Sequence, residues 1–365
     1  MKKVFIIAGE QSGDLLGAKF MKAIKSILGD CEFVGVGGVK MEAEGIKSLF
    51  PINDINVMGF FEVLPKIFRI NRRIKETILS IKKEQPDIIL TIDSPGFCFR
   101  VVKAIQNLKI KKVHLIAPSV WAWKSGRAKK VAELYDLLLC ILPFEPPYFE
   151  KYGLKSVFIG HPIFDDVKGV VRNIDEKRKI ILTPGSRIGE IKRHYPIMLE
   201  SVKILREYFK LSVFVFATNI TKNYLESYNA NAQIVLDEVE KREIMKSTSF
   251  VIAKSGTNAF EFNIYGIPMV IMYTMNFLTN SLARILLKIK FVNLVNIIAD
   301  REIIPEFLGN KAKPKLIAHK VKELLENKEL SEKQIIETKE QMKVLGYNFG
   351  VSASEKGANE IIRLL

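Results

Sequence analysis

The stretch VFIIAGEQSGD, residues 4–14, decides the fold class. Five apolar residues run without alternation, and a turn holding Gly9, Ser12 and Gly13 follows. Beyond it Leu16, Phe20, Ile24 and Ile27 recur at steps of four and three. An unbroken apolar strand is one covered on both faces, and steps of three and four give a helix one buried stripe. Strand, turn and helix in this order form the unit of a parallel sheet with helices on both sides. FVGVG (33–37), DIILTID (87–93), VHLIAP (113–118), DLLLCILPF (136–144) and VFIG (157–160) read as further strands of the same kind.

After a polar stretch (167–179) the pattern restarts with KIILTPG (179–185). SVFVFAT (212–218), QIVL (233–236), SFVIAKSG (249–256) and IPMVIMY (267–273) continue it. In both halves the first strand ends in a turn with glycine and serine, AGEQSGD early and TPGSRIGE later. The expectation is an α/β protein of two Rossmann-like doubly wound domains, residues 1–165 and 166–345. A C-terminal helix within 346–365 can return to the N-terminal domain. Ligands of such sheets bind outside the carboxyl ends of the strands, so two facing domains would put a cleft between them.

Composition narrows the class. A length of 365 residues suits about two domains. With 48% hydrophobic and 26% charged residues, general disorder is excluded. Cys31, Cys98 and Cys140 cannot build a disulfide framework, which points to a reducing compartment. Met1-Lys2-Lys3 precedes only five apolar residues, too few for a signal peptide, and no run of about 18 uncharged apolar residues reads as a membrane span. The net charge of +16 calls for an anionic partner: nucleic acid, phosphorylated ligand or anionic membrane. That charge is concentrated. Window 66–83 holds seven basic residues and one acid, and window 100–130 holds nine and none.

Several turns carry candidate chemistry, each with an ordinary structural reading beside it. The Gly9–Asp14 turn suits an anion at a helix N-terminus, or Ser12 or Asp14 simply caps the helix. Asp93, ending a strand, suits a general base, or it caps a helix that starts at Pro95. Trp121 and Trp123, the chain's two tryptophans, stand before a basic stretch and can stack on a sugar or fill a core. Thr183-Pro184-Gly185-Ser186-Arg187 offers a close backbone approach and a guanidinium for phosphate. Lys254-Ser255-Gly256-Thr257-Asn258-Ala259-Phe260-Glu261 offers small hydroxyl residues at a helix start for phosphate and the Glu261 carboxylate for ribose hydroxyls, or an ordinary cap. The four histidines have no metal-ligand spacing, D-x-D is absent, and no G-x-S-x-G elbow, Walker A loop or G-x-G-x-x-G fingerprint occurs.

Together and in order, AGEQSGDLLGA (8–18), VMGFFEVL (57–64), IDSPGF (92–97), PSVWAW (118–123), LPFE (142–145), IGHP (159–162), LTPGSR (182–187) and KSGTNAFE (254–261) closely resemble lipid-A-disaccharide synthase. The resemblance runs from about residue 4 to the C-terminus. It implies an inverting glycosyltransferase of the GT-B arrangement. UDP-2,3-diacylglucosamine would donate to 2,3-diacylglucosamine-1-phosphate (lipid X), giving a β-1,6 disaccharide phosphate and UDP, with no metal and no cofactor. It places Asp93 as the base. For UDP and donor it gives Gly185, Ser186, Arg187, Ser255, Gly256, Thr257, Glu261 and Asn296. On the acceptor side it gives Glu10, Ser12, Gly13, Met58, Trp121 and Trp123. The family commonly carries a second aspartate where this chain has Gly96, which favours Asp93 working without a carboxylate partner.

The resemblance also implies a peripheral protein on the cytoplasmic face of the inner membrane, and it suggests a homodimer. Residues 57–64 with the helix 66–83, and the stretch 277–290, are the candidate apolar surfaces, although the Ile67–Ile81 stripe must also pack on the sheet. The competing readings are another UDP-sugar enzyme, such as a UDP-GlcNAc 2-epimerase or the muramyl-pathway transferase, and a nucleic-acid-binding protein. The basic windows lack recognition signatures for the latter, so no nucleic acid is expected.

Overall fold

A computed structural model describes residues 1–55, 60–122, 126–166, 172–173, 178–256, 258–274, 290–347 and 350–365, without the side chains of 60–66, 166 and 258. These residues form two compact units, Met1–Asp165 with Leu345–Leu365, and Asp166–Val344.

The first unit is built on β1 (Lys2–Ala8), β2 (Cys31–Val36), β3 (Lys47–Ser48), β4 (Ile88–Ile92), β5 (Lys111–Leu115), β6 (Leu137–Cys140) and β7 (Lys155–Phe158). They lie in the order β3-β2-β1-β4-β5-β6-β7, every neighbouring pair parallel. β1 shows why its run is continuous. Val4, Ile6 and Ala8 join Phe20 and Ile24 of the helix Gln11–Leu28 in one buried cluster. Phe5 and Ile7 join Ile74, Ile81 and Phe97 on the other side. Both faces are covered, so alternation would have put polar groups into a core.

The long helix Phe60–Glu84 resolves the double reading of its isoleucine stripe. Ile74 and Ile81 are buried, and Ile70 and Ile78 pack against the same core. Ile67, Phe68 and Leu79 are exposed. Core packing therefore takes most of the stripe. The side chains of 57–64 fall outside the described residues, as do 277–289.

The last helix, Ala353–Ile362, belongs to the first unit. Ala358 and Ile361 are buried in the cluster that holds Phe20. Gly357 permits the approach, since a Cβ there would stand 2.6 Å from a Phe20 ring carbon. Asp165 accepts hydrogen bonds from the N–H of Ala353 (2.8 Å) and of Ser354 (3.2 Å), fixing the start of the helix.

The second unit has β8 (Arg178–Thr183), β9 (Leu211–Phe216), β10 (Gln233–Val235), β11 (Phe250–Lys254), β12 (Met269–Tyr273) and β13 (Glu306–Leu308). Their order is β10-β9-β8-β11-β12-β13, again all parallel. β3 and β13, with two and three residues at the sheet edges, are too short to leave a period in the sequence. In both sheets the chain starts centrally, winds one way, then returns to the other side of its first strand. The reversals fall between β1 and β4, and between β8 and β11. Crevices at such reversals, outside the carboxyl ends, are where doubly wound folds bind ligands. Among the described residues no helix is long and apolar enough to cross a membrane.

Candidate active site

The turns after β1 and β4 meet at the first reversal. Gly9 lies so close to Ser94 that a Cβ on it would stand 2.0 Å from the Ser94 Oγ. Asp93 and Ser94 both adopt left-handed backbone, φ 48° and 45°, which non-glycine residues hold only when the surroundings impose it. The Asp93 N–H donates to Leu115 O at 3.0 Å, ending the ladder, and Ser94 N–H donates to the Asp93 Oδ1 at 2.8 Å. Ser94 is the N-cap of the helix Pro95–Ala104, so Asp93 is not the cap.

Asp93 has company that the sequence did not disclose. Burial, then the charge of Glu10 and a hydrogen bond with it, push its carboxyl up to about 6, against the opposing Ser94 N–H. Ser12 Oγ donates to Glu10 Oε1 at 2.6 Å and orients it. The expectation of Asp93 working without a carboxylate partner is therefore corrected. Gly96 removes one acid, but the β1 turn supplies another. The capping alternative for Ser12 and Asp14 is corrected too. Glu10 holds the N-cap position of Gln11–Leu28, and Asp14 instead accepts from the N–H of Gly38 (2.7 Å), Lys40 (3.0 Å) and Met41 (3.0 Å).

The β5 and β6 ends add a strained backbone position and a buried carboxyl. Ile116 has φ 76°, a conformation costly for a β-branched residue. It leads into Ala117–Trp121. The Trp121 ring packs edge-on to Phe144, and its Nε1 lies 3.4 Å from Glu145 Oε1. Glu145 is buried, and burial pushes its carboxyl up to about 8, although Leu142 N–H and the indole both favour the charged form.

At the second reversal the polar groups are organised differently. Arg187 is exposed and opens the helix Ile188–Leu205. Glu190, on that helix, ties two turns together. Its Oε2 accepts the Ser186 N–H at 3.1 Å, and its Oε1 pairs with Lys254 Nζ at 3.0 Å, at the end of β11. Burial raises the Glu190 carboxyl, but Lys254 and Ser186 more than offset it and leave it below the usual range. Gly185 (φ 130°) is required here, because a Cβ would lie 2.5 Å from that same carboxylate. Neutral His194 joins the turn to the end of β12, with Nδ1 3.0 Å from Pro184 O and Nε2 accepting Thr274 N–H at 3.2 Å.

The expected site residues thus separate into groups that face outward and groups that build the loops. Arg187 is exposed, and Glu261 sits half-buried in the first turn of the helix Asn258–Ile264. The Ser186 N–H is engaged by Glu190, and Ser255 Oγ donates to Val292 O at 3.2 Å. Asn296 is fully buried and all its capacity is used inside the protein. Nδ2 donates to Ile304 O (2.7 Å) and Glu306 Oε1 (2.9 Å), and Oδ1 accepts from Ile303 and Ile304 N–H. Its expected contact with the donor is corrected to support of the 292–306 loop. Met58, Trp123 and Thr257 lie outside the described residues. Sequence reasoning missed Glu190, which an acid three residues into a helix could have signalled, and the pairing role of Lys254.

A family model described as lipid-A-disaccharide synthetase matches residues 4–362. The chain belongs to that family. It is 41% identical over 381 residues to the lipid-A-disaccharide synthase of Rickettsia bellii, covering 100% of this chain and 99% of the relative. Against that of Rickettsia conorii it is 42% identical over 377 residues, covering 95% and 84%. As a member of the lipid-A-disaccharide synthase family it is a glycosyltransferase of lipid A biosynthesis. Solved structures show the same fold at low identity. UDP-GlcNAc 2-epimerase from Neisseria meningitidis bound to UDP-GlcNAc superposes with TM-score 0.66 at 13% identity, over 100% of both chains. MurG of Acinetobacter baumannii gives 0.61 at 13%, also over 100% of both.

Proposed function

We propose that the chain transfers diacylglucosamine from UDP to the 6-hydroxyl of 2,3-diacylglucosamine-1-phosphate, with inversion. The observation that carries this reading is Asp93, a carboxyl raised to about 6 on strained backbone at a reversal of the first sheet, in a chain of this family. The ionised Asp93 takes the proton of the acceptor hydroxyl as its oxygen bonds to the sugar C1. The C1–O bond to the diphosphate breaks, and UDP leaves with the electron pair. A base with a pKa near 6 is mostly ionised at neutral pH and still basic enough to take the proton. Burial, and after it the charge of Glu10, keeps that pKa up. Arg187 meets the growing negative charge on the diphosphate, and Glu261 accepts from the ribose hydroxyls.

Residues 1–165 take the acceptor and 166–345 the donor. On the acceptor side Ser12 orients Glu10, with Gly13 next to it in the turn, and Trp121 offers a face to the sugar ring. Exposed Phe68 and Leu79 on a helix rich in Arg and Lys support peripheral contact with an anionic membrane face on the cytoplasmic side, and a homodimer fits the family. A transfer assay with the two acylated substrates, scored by UDP release and disaccharide formation, tests the reading. Release of free sugar from UDP-GlcNAc without acceptor, in place of disaccharide formation, contradicts it.

A further inference from the structure

The turn after β6 holds a buried carboxyl that the transfer step does not use. Glu145 is 2% exposed. Its Oε2 accepts the Leu142 N–H at 3.1 Å, which closes its own turn. Its Oε1 accepts the Trp121 indole N–H at 3.4 Å, from 24 residues away in the turn after β5. Closing a turn takes one acceptor oxygen, which an amide or a hydroxyl supplies without a charge. A carboxyl supplies two, and here the second goes to the indole. Keeping an ionisable group buried is costly, so this contact between two turns calls for a reason beyond local structure.

Trp121 is anchored on both sides and remains partly open. Val120 and Ala122 are buried, whereas Trp121 is half-buried. Phe144, next to Glu145, meets the ring at 5.2 Å between centroids and 86° between planes. An indole has a single N–H to donate, so the Glu145 contact fixes which way the ring is turned. The ends of β4, β5 and β6 are laced in a row: Asp93 N–H donates to Leu115 O at 3.0 Å, and Ile116 N–H to Leu139 O at 3.1 Å. The Trp121 turn therefore starts beside the Asp93 turn. A ring oriented before the ligand arrives spares the cost of ordering it on binding. We propose that Glu145 is the positioning residue of Trp121, holding the indole so that its face is presented to the sugar of the acceptor. The inference rests on the functional reading above and deepens it, because that reading puts Trp121 on the acceptor side.

The test uses the full-length enzyme with Glu145→Gln, Trp121→Phe and both together. A glutamine keeps its oxygen on the buried Leu142 N–H and turns its NH2 to the indole, so donor faces donor while the turn and the volume are preserved. Trp121→Phe keeps a ring and removes the N–H. Steady-state transfer gives kcat and the KM for the acylated acceptor phosphate, and calorimetric titration gives the UDP Kd. The expected result is an acceptor KM raised about three- to tenfold in Glu145→Gln, with kcat and the UDP Kd within about twofold. Added to Trp121→Phe, the same substitution is expected to raise KM no further. An equal rise in the Trp121→Phe background overturns the proposal, because Glu145 then acts through its own turn. An unchanged KM in Glu145→Gln, or a UDP Kd that rises in step with KM, overturns it as well. A proton–nitrogen NMR spectrum of the wild-type enzyme tests it without any change at Glu145. The Trp121 indole N–H, assigned by its loss in Trp121→Phe, is expected to exchange slowly with solvent and to shift when the acceptor is added, and fast exchange or an unmoved resonance overturns the proposal. Wild-type enzyme that binds UDP but does not join the acylated pair overturns the functional reading and this inference with it.

Discussion

The two reversals share a topology and differ in charge. Between β1 and β4, two carboxyls, Glu10 and Asp93, are brought together, and the turn is made by non-glycine residues in left-handed backbone. Between β8 and β11, acid and base are matched, Glu190 with Lys254, and the turn is made by Gly185. The first raises the pKa of a buried carboxyl and so makes its ionised form more basic, which suits the proton acceptor proposed above. The second matches acid with base, Glu190 with Lys254, beside the exposed Arg187. The same fold element thus supplies a place in both units, and local charge supplies the role.

The comparison can be broken at several points. Asp93→Asn keeps the shape and removes the base, and transfer is expected to fall by about 10²–10⁴-fold in a steady-state assay. Arg187→Ala removes a charge-assisted contact, and UDP Kd in calorimetry is expected to rise about 10–100-fold. Lys254→Met leaves Glu190 buried without its cation. Denaturant unfolding should show the second unit weakened by about 2–3 kcal/mol, with poorer UDP binding because two turns lose their tie. Equal weakening of UDP binding by Asp93→Asn and Arg187→Ala would erase the distinction between the reversals.

The pH dependence sharpens it further. Asp93 must be ionised to act, so kcat/KM is expected to rise as pH increases through about 6. Glu10→Gln removes the neighbouring charge, and the rise should move to lower pH. The sign for stability is opposite. A carboxyl raised in the fold contributes stability that is present below its unfolded pKa and lost as pH rises through the folded one. Glu145, raised to about 8, shows this apart from catalysis. Glu145→Gln is expected to raise the melting temperature by a few degrees at pH 9 and to leave it unchanged at pH 4.

Much of this was legible before any coordinates. Continuous apolar runs separated by helical periods identify parallel strands, and the glycine turns ending VFIIA and KIILT mark the first strand of each half. Pairings across the sheet were not legible. Glu10 and Asp93 are 83 positions apart, and only the winding of β4 back beside β1 makes them neighbours. Glu190 and Lys254 meet for the same reason, through β8 and β11. Asn296 misled because a match to a family position does not show whether the amide faces a ligand or, as here on the helix Leu294–Ala299, saturates the backbone of the segment that follows.

The central claim is that the first reversal holds the base and the second holds the nucleotide. Calorimetric titration of UDP into the Asp93→Asn enzyme tests it most directly. The account predicts a UDP Kd within about twofold of wild type in a protein that no longer forms disaccharide. Loss of UDP binding in that variant, with its fold intact, would contradict it.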